Sequence, residues 1–246
     1  MFFIPGKQYN LRELLQKAEK GDLDAMETAV ILISAEGYTD DDPEGEIAER
    51  QVRYLRTLAE SGRSFAYIML GGAYLKGEGT PQNATEAIRW YEKAAESGIH
   101  FGNECIGMLY YEGRDIPCDY QKAYEYFTRD EEKKSFCTTY ALGEMFRQGL
   151  YVPKDEEKAF EYYVSILNDD GQCPEMDDYF WRACYRTAVA LHYGQGVEKD
   201  LDSAVELMSK AKNLYESRSG DGPAADITRE ELYQEWLFLN QDAGSF

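Results

Sequence analysis

The sequence has few of the residues that catalysis or metal binding usually requires. It contains only two histidines, His100 and His192, and its five cysteines form no Cys-x-x-Cys pair, so it lacks the ligand clusters typical of a zinc site. There is no Gly-x-Ser-x-Gly nucleophile elbow, and Gly77-Glu-Gly79 is not followed by the Lys-Ser or Lys-Thr of a phosphate loop. A histidine near a cysteine, such as His192 with Cys184, is more typical of a contact residue than of a nucleophile–base pair. We therefore predict a protein that is not an enzyme, with no catalytic residue, no metal site and no cofactor.

Basic residues and long apolar runs are also scarce. The chain has 26 Lys and Arg against 46 Asp and Glu, which gives a formal net charge of −20. This charge disfavours binding to nucleic acid and to anionic membranes, and it is compatible with a basic protein partner, although acidity also simply favours solubility. Neither a run of about 18 apolar residues nor a signal-peptide pattern is visible. The odd number of cysteines without a framework spacing indicates thiols in a reducing compartment, so we expect a cytoplasmic protein.

The sequence repeats itself with a step of 36 residues. Five columns of small, capping or aromatic residues keep this step over three copies. They are Gly71, Gly107 and Gly143; Gly77, Gly113 and Gly149; Asn83, Asp119 and Asp155; Ala87, Ala123 and Ala159; and the aromatic pairs that begin at Trp90, Tyr126 and Tyr162. A fixed period of this length is typical of stacked helix–turn–helix repeats. A further copy with the same internal spacing follows near Ala188, and a weaker copy runs from Gly21 to Gly62.

Each copy predicts two helices joined by a turn. The first helix, such as 65–76, has apolar residues at helical spacing. Gly71 inside it costs about 1 kcal/mol in helix propensity, which close approach of the paired helix would offset. Gly77 and Gly79 should end the helix in left-handed conformations, and Asn83 should cap the next one. Because one hairpin cannot bury its own apolar face, the copies should stack into a solenoid.

This pattern resembles the Sel-one-like repeat family, a relative of tetratricopeptide repeats. The copy from Ala66 to Gly98 is a near-complete match, and the resemblance covers roughly residues 9–215. It implies an all-α fold, an α-solenoid that forms a right-handed superhelix of about five repeats. The expected domain is 1–216, with repeats at approximately 22–62, 63–98, 99–134, 135–178 and 179–216.

The ends and insertions of this domain have their own signals. Residues 217–227 are predicted as a linker, and 228–246 as a C-terminal capping helix and tail. Thr228 and Glu231 have the spacing of a capping box at the start of that helix. The acidic stretch Asp40–Gly45 is predicted as a solvated loop, because it lacks the spaced ligands of a calcium site.

A second stripe runs along each first helix, opposite its core stripe at 100° per residue. In the resembling families the first helices line the concave surface, so this binding stripe should line a groove. We define the binding stripe by four sets of five residues, of which half are bulky and apolar or aromatic. They are Phe65, Ile68, Gly72, Leu75 and Lys76; Phe101, Glu104, Met108, Tyr111 and Glu112; Cys137, Tyr140, Glu144, Arg147 and Gln148; and Arg182, Tyr185, Val189, His192 and Tyr193.

The composition of the binding stripe is typical of protein-binding surfaces, although packing between neighbouring repeats would produce a similar pattern. We predict protein contacts from twelve of its members: Phe65, Ile68, Leu75, Phe101, Met108, Tyr111, Tyr140, Arg147, Arg182, Tyr185, His192 and Tyr193. The resemblance implies a non-catalytic scaffold or adaptor that binds a protein or peptide in its groove. The net charge of −20 keeps open an alternative, an acidic regulatory or immunity-type protein that inhibits a basic toxin or enzyme.

Overall fold

A computed structural model describes residues 11–36, 46–130, 134–168, 178–217 and 227–244. Within these ranges the regular structure is all helical, which confirms the predicted fold class. The acidic stretch Asp40–Gly45, Cys173 and most of the predicted linker lie outside the described residues. The chain divides into two compact units, unit 1 over Met1–Asp119 and unit 2 over Tyr120–Phe246.

Unit 1 contains six helices among its described residues, and consecutive helices pack against one another. Their core is formed by side chains such as Leu55, Leu58 and Leu70, which are almost completely buried. The helices are α1 (Leu11–Ala18), α2 (Leu23–Glu36), α3 (Glu46–Glu60), α4 (Phe65–Lys76), α5 (Ala84–Glu96) and α6 (Phe101–Glu112).

Unit 2 also contains six helices in the part that the structure describes. They are α7 (Tyr120–Phe127), α8 (Phe136–Gln148), α9 (Glu156–Leu167), α10 (Asp178–Tyr193), α11 (Leu201–Ser217) and α12 (Arg229–Asp242). The C-terminal helix α12 packs against α10 and α11 and buries Leu232 and Leu239 completely. Its predicted capping box is confirmed, because Thr228 and Glu231 satisfy each other's backbone N–H groups at 3.1 and 2.7 Å.

The glycines inside the first helices allow close contact with an aromatic ring of the paired helix. A Cβ atom on Gly71 would lie 2.3 Å from Cε1 of Tyr91, and one on Gly143 would lie 2.7 Å from Cε1 of Tyr163. Both distances are far shorter than a real carbon contact, so only glycine fits there. The predicted close approach of the helix pair is thus confirmed for α4–α5 and for α8–α9.

The turn between the two helices of a repeat is built from the predicted residues. Gly77 and Gly79 have φ values of +75° and +66°, in the left-handed region. Asn83 accepts a hydrogen bond from the backbone N–H of Glu86 at 3.1 Å, and Asp155 accepts the equivalent bond from Lys158 at 3.0 Å. The caps therefore start the second helices where the sequence places them.

Candidate protein-binding surface

In unit 1 the binding stripe is accessible along its whole length. None of its ten residues on α4 and α6 is fully buried, whereas Ala66, Leu70 and Ile106 of the core stripe are completely inaccessible. Phe101 is 48% exposed, which is unusual for a large apolar side chain. The other predicted contact residues here, all half-buried, are Phe65, Ile68, Leu75, Met108 and Tyr111.

Phe65 differs from its neighbours on the binding stripe. It is half-buried and packs against the core of unit 1, so part of its surface is already used within the fold. Charged residues follow the apolar positions at the C-terminal ends of the two helices, where Lys76 and Glu112 are exposed. The arrangement combines partly exposed apolar and aromatic side chains with a charged rim, which is the usual anatomy of a protein interface.

In unit 2 much of the equivalent stripe is buried. Tyr140 is 4% exposed, and its ring lies 5.6 Å from that of Tyr163 and 5.7 Å from that of Tyr179. Its hydroxyl accepts a hydrogen bond from Nε of Arg186 at 3.2 Å. The structure therefore places Tyr140 in the packing between α8, α9 and α10.

Glu144 is the centre of a buried polar network on the same face of α8. It accepts hydrogen bonds from Nε of Arg147 at 3.0 Å, from Nε2 of Gln148 at 2.8 Å and from the hydroxyl of Tyr163 at 2.7 Å. Nε of Arg186, on α10, lies 2.8 Å from the same carboxylate. The network joins three helices around one charge, so it fixes how α8, α9 and α10 pack.

The pKa values in this network follow from burial and charge. Burial by itself raises the pKa of Glu144, but the hydrogen bond from Arg147 and the charges of Arg186 and Arg147 outweigh it and lower the pKa to about 2. Burial and the neighbouring Glu144 carboxylate raise the pKa of Tyr163 well above its ordinary value. Glu144 is thus ionised and Tyr163 protonated over the physiological pH range.

On α10, three predicted contact residues are also buried. Arg182, which is 7% exposed, forms an ion pair with Asp178 one turn earlier on its own helix. Tyr185 is 8% exposed, and burial raises its pKa to about 12, with Arg186 acting in the opposite direction. Both side chains therefore contribute to the packing of unit 2.

The C-terminal helix covers the third buried residue, His192. Nδ1 lies 3.1 Å from Oε1 of Glu235, and Nε2 lies 3.0 Å from Oδ2 of Asp242. The next residue, Tyr193, remains 44% exposed and donates a hydrogen bond to Glu235 at 3.4 Å. Arg147 keeps 34% of its side chain exposed while it pairs with Glu144. In unit 2, Arg147 and Tyr193 are thus the predicted contact residues that stay accessible.

The sequence placed Glu144 on the binding stripe and did not predict its role in the packing of unit 2. The pair Glu144 and Arg147 has the (i, i+3) spacing that favours an ion pair on one helix, and this signal was available. Arg186 lies 42 residues away from Glu144, so only the packing of α10 against α8 brings it close.

The described ranges were also compared with the requirements of a metal site and of a membrane-spanning helix. They contain no group of three or more His, Cys, Asp or Glu side chains arranged to hold a metal ion. Of the helices that the structure describes, none combines the length and the apolar character needed to cross a bilayer.

Comparison with known proteins agrees with this architecture. The family model described as Sel1 repeat matches residues 64–99, 106–129, 139–165 and 181–215. A solved Sel1 repeat protein from Oxalobacter formigenes is similar, with a TM-score of 0.62 and 22% identity over 95% of this chain and 93% of that chain. The protective antigen c5321 of uropathogenic Escherichia coli, which displays an SLR fold, has a TM-score of 0.59 and 21% identity over 96% of this chain.

This chain spans only 57% of the length of c5321. No curated protein matches the sequence. At these identities the two solved structures establish the fold. With four matched repeats and the helix pairs that they encode, this chain belongs to the Sel1 repeat family.

Proposed function

We propose that this protein is a non-catalytic scaffold or adaptor that binds a protein or peptide through the binding stripe of unit 1. Sel1 repeat proteins generally mediate protein–protein interactions, and the family is typically a non-catalytic interaction scaffold. The observation that carries the proposal is the accessibility of the apolar residues on α4 and α6. A solvated helix face is normally polar, yet this one presents partly accessible phenylalanine, isoleucine, leucine and methionine side chains.

The buried residues of unit 2 are assigned to the fold and not to the contact surface. Tyr140, Arg182, Tyr185 and His192 are buried within the fold, so their removal would affect folding before it affected binding. Tyr193 and Arg147 are accessible and could extend the contact surface within unit 2. An apolar or aromatic partner segment fits unit 1, where the buried core of an interface can form around Phe101.

The charge of the chain supports a second, related function. A net charge of −20 would accelerate association with a basic partner, as expected for an acidic regulatory or immunity-type protein that inhibits a basic toxin or enzyme. Long-range attraction of this kind is screened at raised ionic strength, whereas apolar contacts at the binding stripe are not. Salt dependence therefore separates the two functions.

The test is affinity capture from native lysate with the wild type and with the double variant Phe101→Ala/Met108→Ala. We expect a protein that the wild type retains and the double variant loses, because truncation removes exposed apolar contact area without emptying the core. Phe238→Ala is the matched control, since Phe238 is 50% exposed in unit 2 and Phe101 is 48% exposed in unit 1. Circular dichroism should show equal helicity for all three proteins.

Equal capture by the wild type and the double variant would contradict the proposed surface. Loss of capture with Phe238→Ala alone would move the site to α12 of unit 2. Capture that survives in low salt and disappears near 0.5 M salt, whichever variant is used, would favour the inhibitor of a basic partner.

A further inference from the structure

A cleft of about 400 Å³ opens in unit 1 where the C-terminal ends of α3 and α5 meet the start of α4. Seven residues line it: Ala59, Glu60, Tyr67, Trp90, Lys93, Glu96 and Ser97. None of them belongs to the binding stripe. The cleft is therefore a separate feature of unit 1, and the proposed function does not use it.

The walls of the cleft carry two aromatic rings that lie nearly parallel. The ring centroids of Tyr67 and Trp90 are 6.1 Å apart, and the angle between the ring planes is 20°. The hydroxyl of Tyr67 donates to the backbone carbonyl of Ala59 at 3.3 Å, which fixes the orientation of this ring. Both rings are half-buried, so each keeps accessible surface.

The electrostatics of the cleft favour a positive charge. Glu60 is the last residue of α3, and Glu96 is the last residue of α5. Both residues are exposed. The C-terminal end of a helix carries a partial negative charge, so two helix ends and two carboxylates act together here. The last turn of α3 contains no basic residue.

The chain already places one of its own cations in this cleft. The ammonium group of Lys93 lies 4.1 Å from the centre of the Trp90 ring, which is the geometry of a cation–π contact. Lys93 is exposed and sits three residues after Trp90 on α5, so the contact is local and its side chain can move away. Its position shows which charge this surface accepts.

We propose that the cleft binds a cationic side chain of a partner protein, and that arginine is the preferred residue. A guanidinium group is planar and can stack on Tyr67 or Trp90 while its N–H groups pair with the carboxylates of Glu60 and Glu96. In this arrangement the incoming arginine displaces the ammonium group of Lys93 from Trp90. This site goes beyond the proposed function, because it is a second point of contact with a partner and is selective for a cationic side chain.

The probe is the peptide acetyl-Gly-Arg-Gly-amide, and its control is the same peptide with citrulline, which has nearly the same shape and no charge. Binding to the full chain is followed by NMR through the indole N–H signal of Trp90, assigned with Trp90→Phe. We expect the arginine peptide to shift this signal in a saturable way and the citrulline peptide to leave it nearly unchanged. The indole signals of Trp181 and Trp236 in unit 2 serve as internal references.

Three variants test the mode of binding. Lys93→Met should tighten binding of the arginine peptide by about two- to five-fold, because it removes the competing ammonium group and keeps most of the apolar length of the side chain. Glu96→Gln should weaken binding by a similar factor. Glu92→Gln is the matched control, an exposed glutamate on α5 that does not line the cleft, and it should leave the affinity unchanged.

Several results would overturn the proposal. They are an unshifted Trp90 signal, equal shifts from the two peptides, and equal loss with Glu92→Gln and Glu96→Gln. Weaker binding of the arginine peptide by Lys93→Met would show that Lys93 supports the bound peptide, which contradicts the proposed displacement of its ammonium group. Since the probe is a small peptide, none of these results depends on whether the binding stripe captures a protein.

Discussion

Replacement of Glu144 by glutamine should strongly destabilise unit 2. Glu144 is 1% exposed, and its carboxylate faces Arg147 and Arg186, whose side chains are 34% and 13% exposed. Glutamine has nearly the same shape but no charge, so the buried guanidinium of Arg186 and the partly buried one of Arg147 would lose the negative charge that both of them face. Removal of one partner from a buried ion pair costs about 3–5 kcal/mol. Because Arg147 is partly solvated, we expect a loss near the lower end, about 3 kcal/mol.

The pKa of Glu144 gives a similar value for the stabilisation that its carboxylate provides. The folded pKa is about 2, and the ordinary value is 4.5. This difference corresponds to about 3 kcal/mol of stabilisation when the carboxylate is ionised. Since the folded pKa is depressed, the contribution is fully present above pH 4.5 and is lost as the pH falls towards 2. The wild type should therefore lose stability over this range, and Glu144→Gln should lose less.

The assay is urea denaturation at pH 7, 4.5 and 3, followed by tryptophan fluorescence. Trp181 and Trp236 report on unit 2, and Trp90 reports on unit 1. Glu206→Gln is the matched control, because Glu206 is an exposed carboxylate on α11 of the same unit. A cost below about 1 kcal/mol at pH 7, or equal sensitivity to acid in the wild type and in Glu144→Gln, would refute the reasoning.

Two further predictions concern the fold. Gly71→Ala should lower the free energy of unfolding by about 1–3 kcal/mol, because the new Cβ would lie 2.3 Å from the Tyr91 ring. Gly72→Ala should instead stabilise the helix by up to about 1 kcal/mol, since the nearest atom to its new Cβ is 4.0 Å away. Thermal denaturation of the two variants would show shifts in opposite directions, and equal shifts would contradict the close packing. Thr228→Ala should cost about 1 kcal/mol by removing the cap of α12, visible as faster amide hydrogen exchange in that helix, while unchanged exchange would argue against the cap.

The architecture of the repeats could be predicted from the sequence because its signals are local or periodic. The step of 36 residues placed Gly71 and Gly143 in the first helices, where they now contact Tyr91 and Tyr163. Left-handed glycines and side-chain caps depend on a few neighbouring residues, so Gly77 and Asn83 could be assigned in the same way.

The candidate surface could be predicted only in part. Helical periodicity identified the face of each first helix but did not reveal what covers it. On α6 that face stays accessible at Phe101, whereas on α10 it is buried at Tyr185 and covered at His192 by Glu235 and Asp242 of α12. Burial of this kind depends on contacts between residues more than 40 positions apart in the sequence.

The sequence by itself thus determined the helical character of the repeats, several helix ends and the pairing of α4 with α5 and of α8 with α9, because hydrophobic period, glycine geometry and capping act over short distances. Only the tertiary structure decided which charges and rings meet. It brought Arg186 to Glu144 across 42 residues, and it stacked Tyr67 on Trp90 beside the ends of two helices. The physical reason is that desolvation and Coulomb interactions depend on distance in space, which a one-dimensional pattern does not contain.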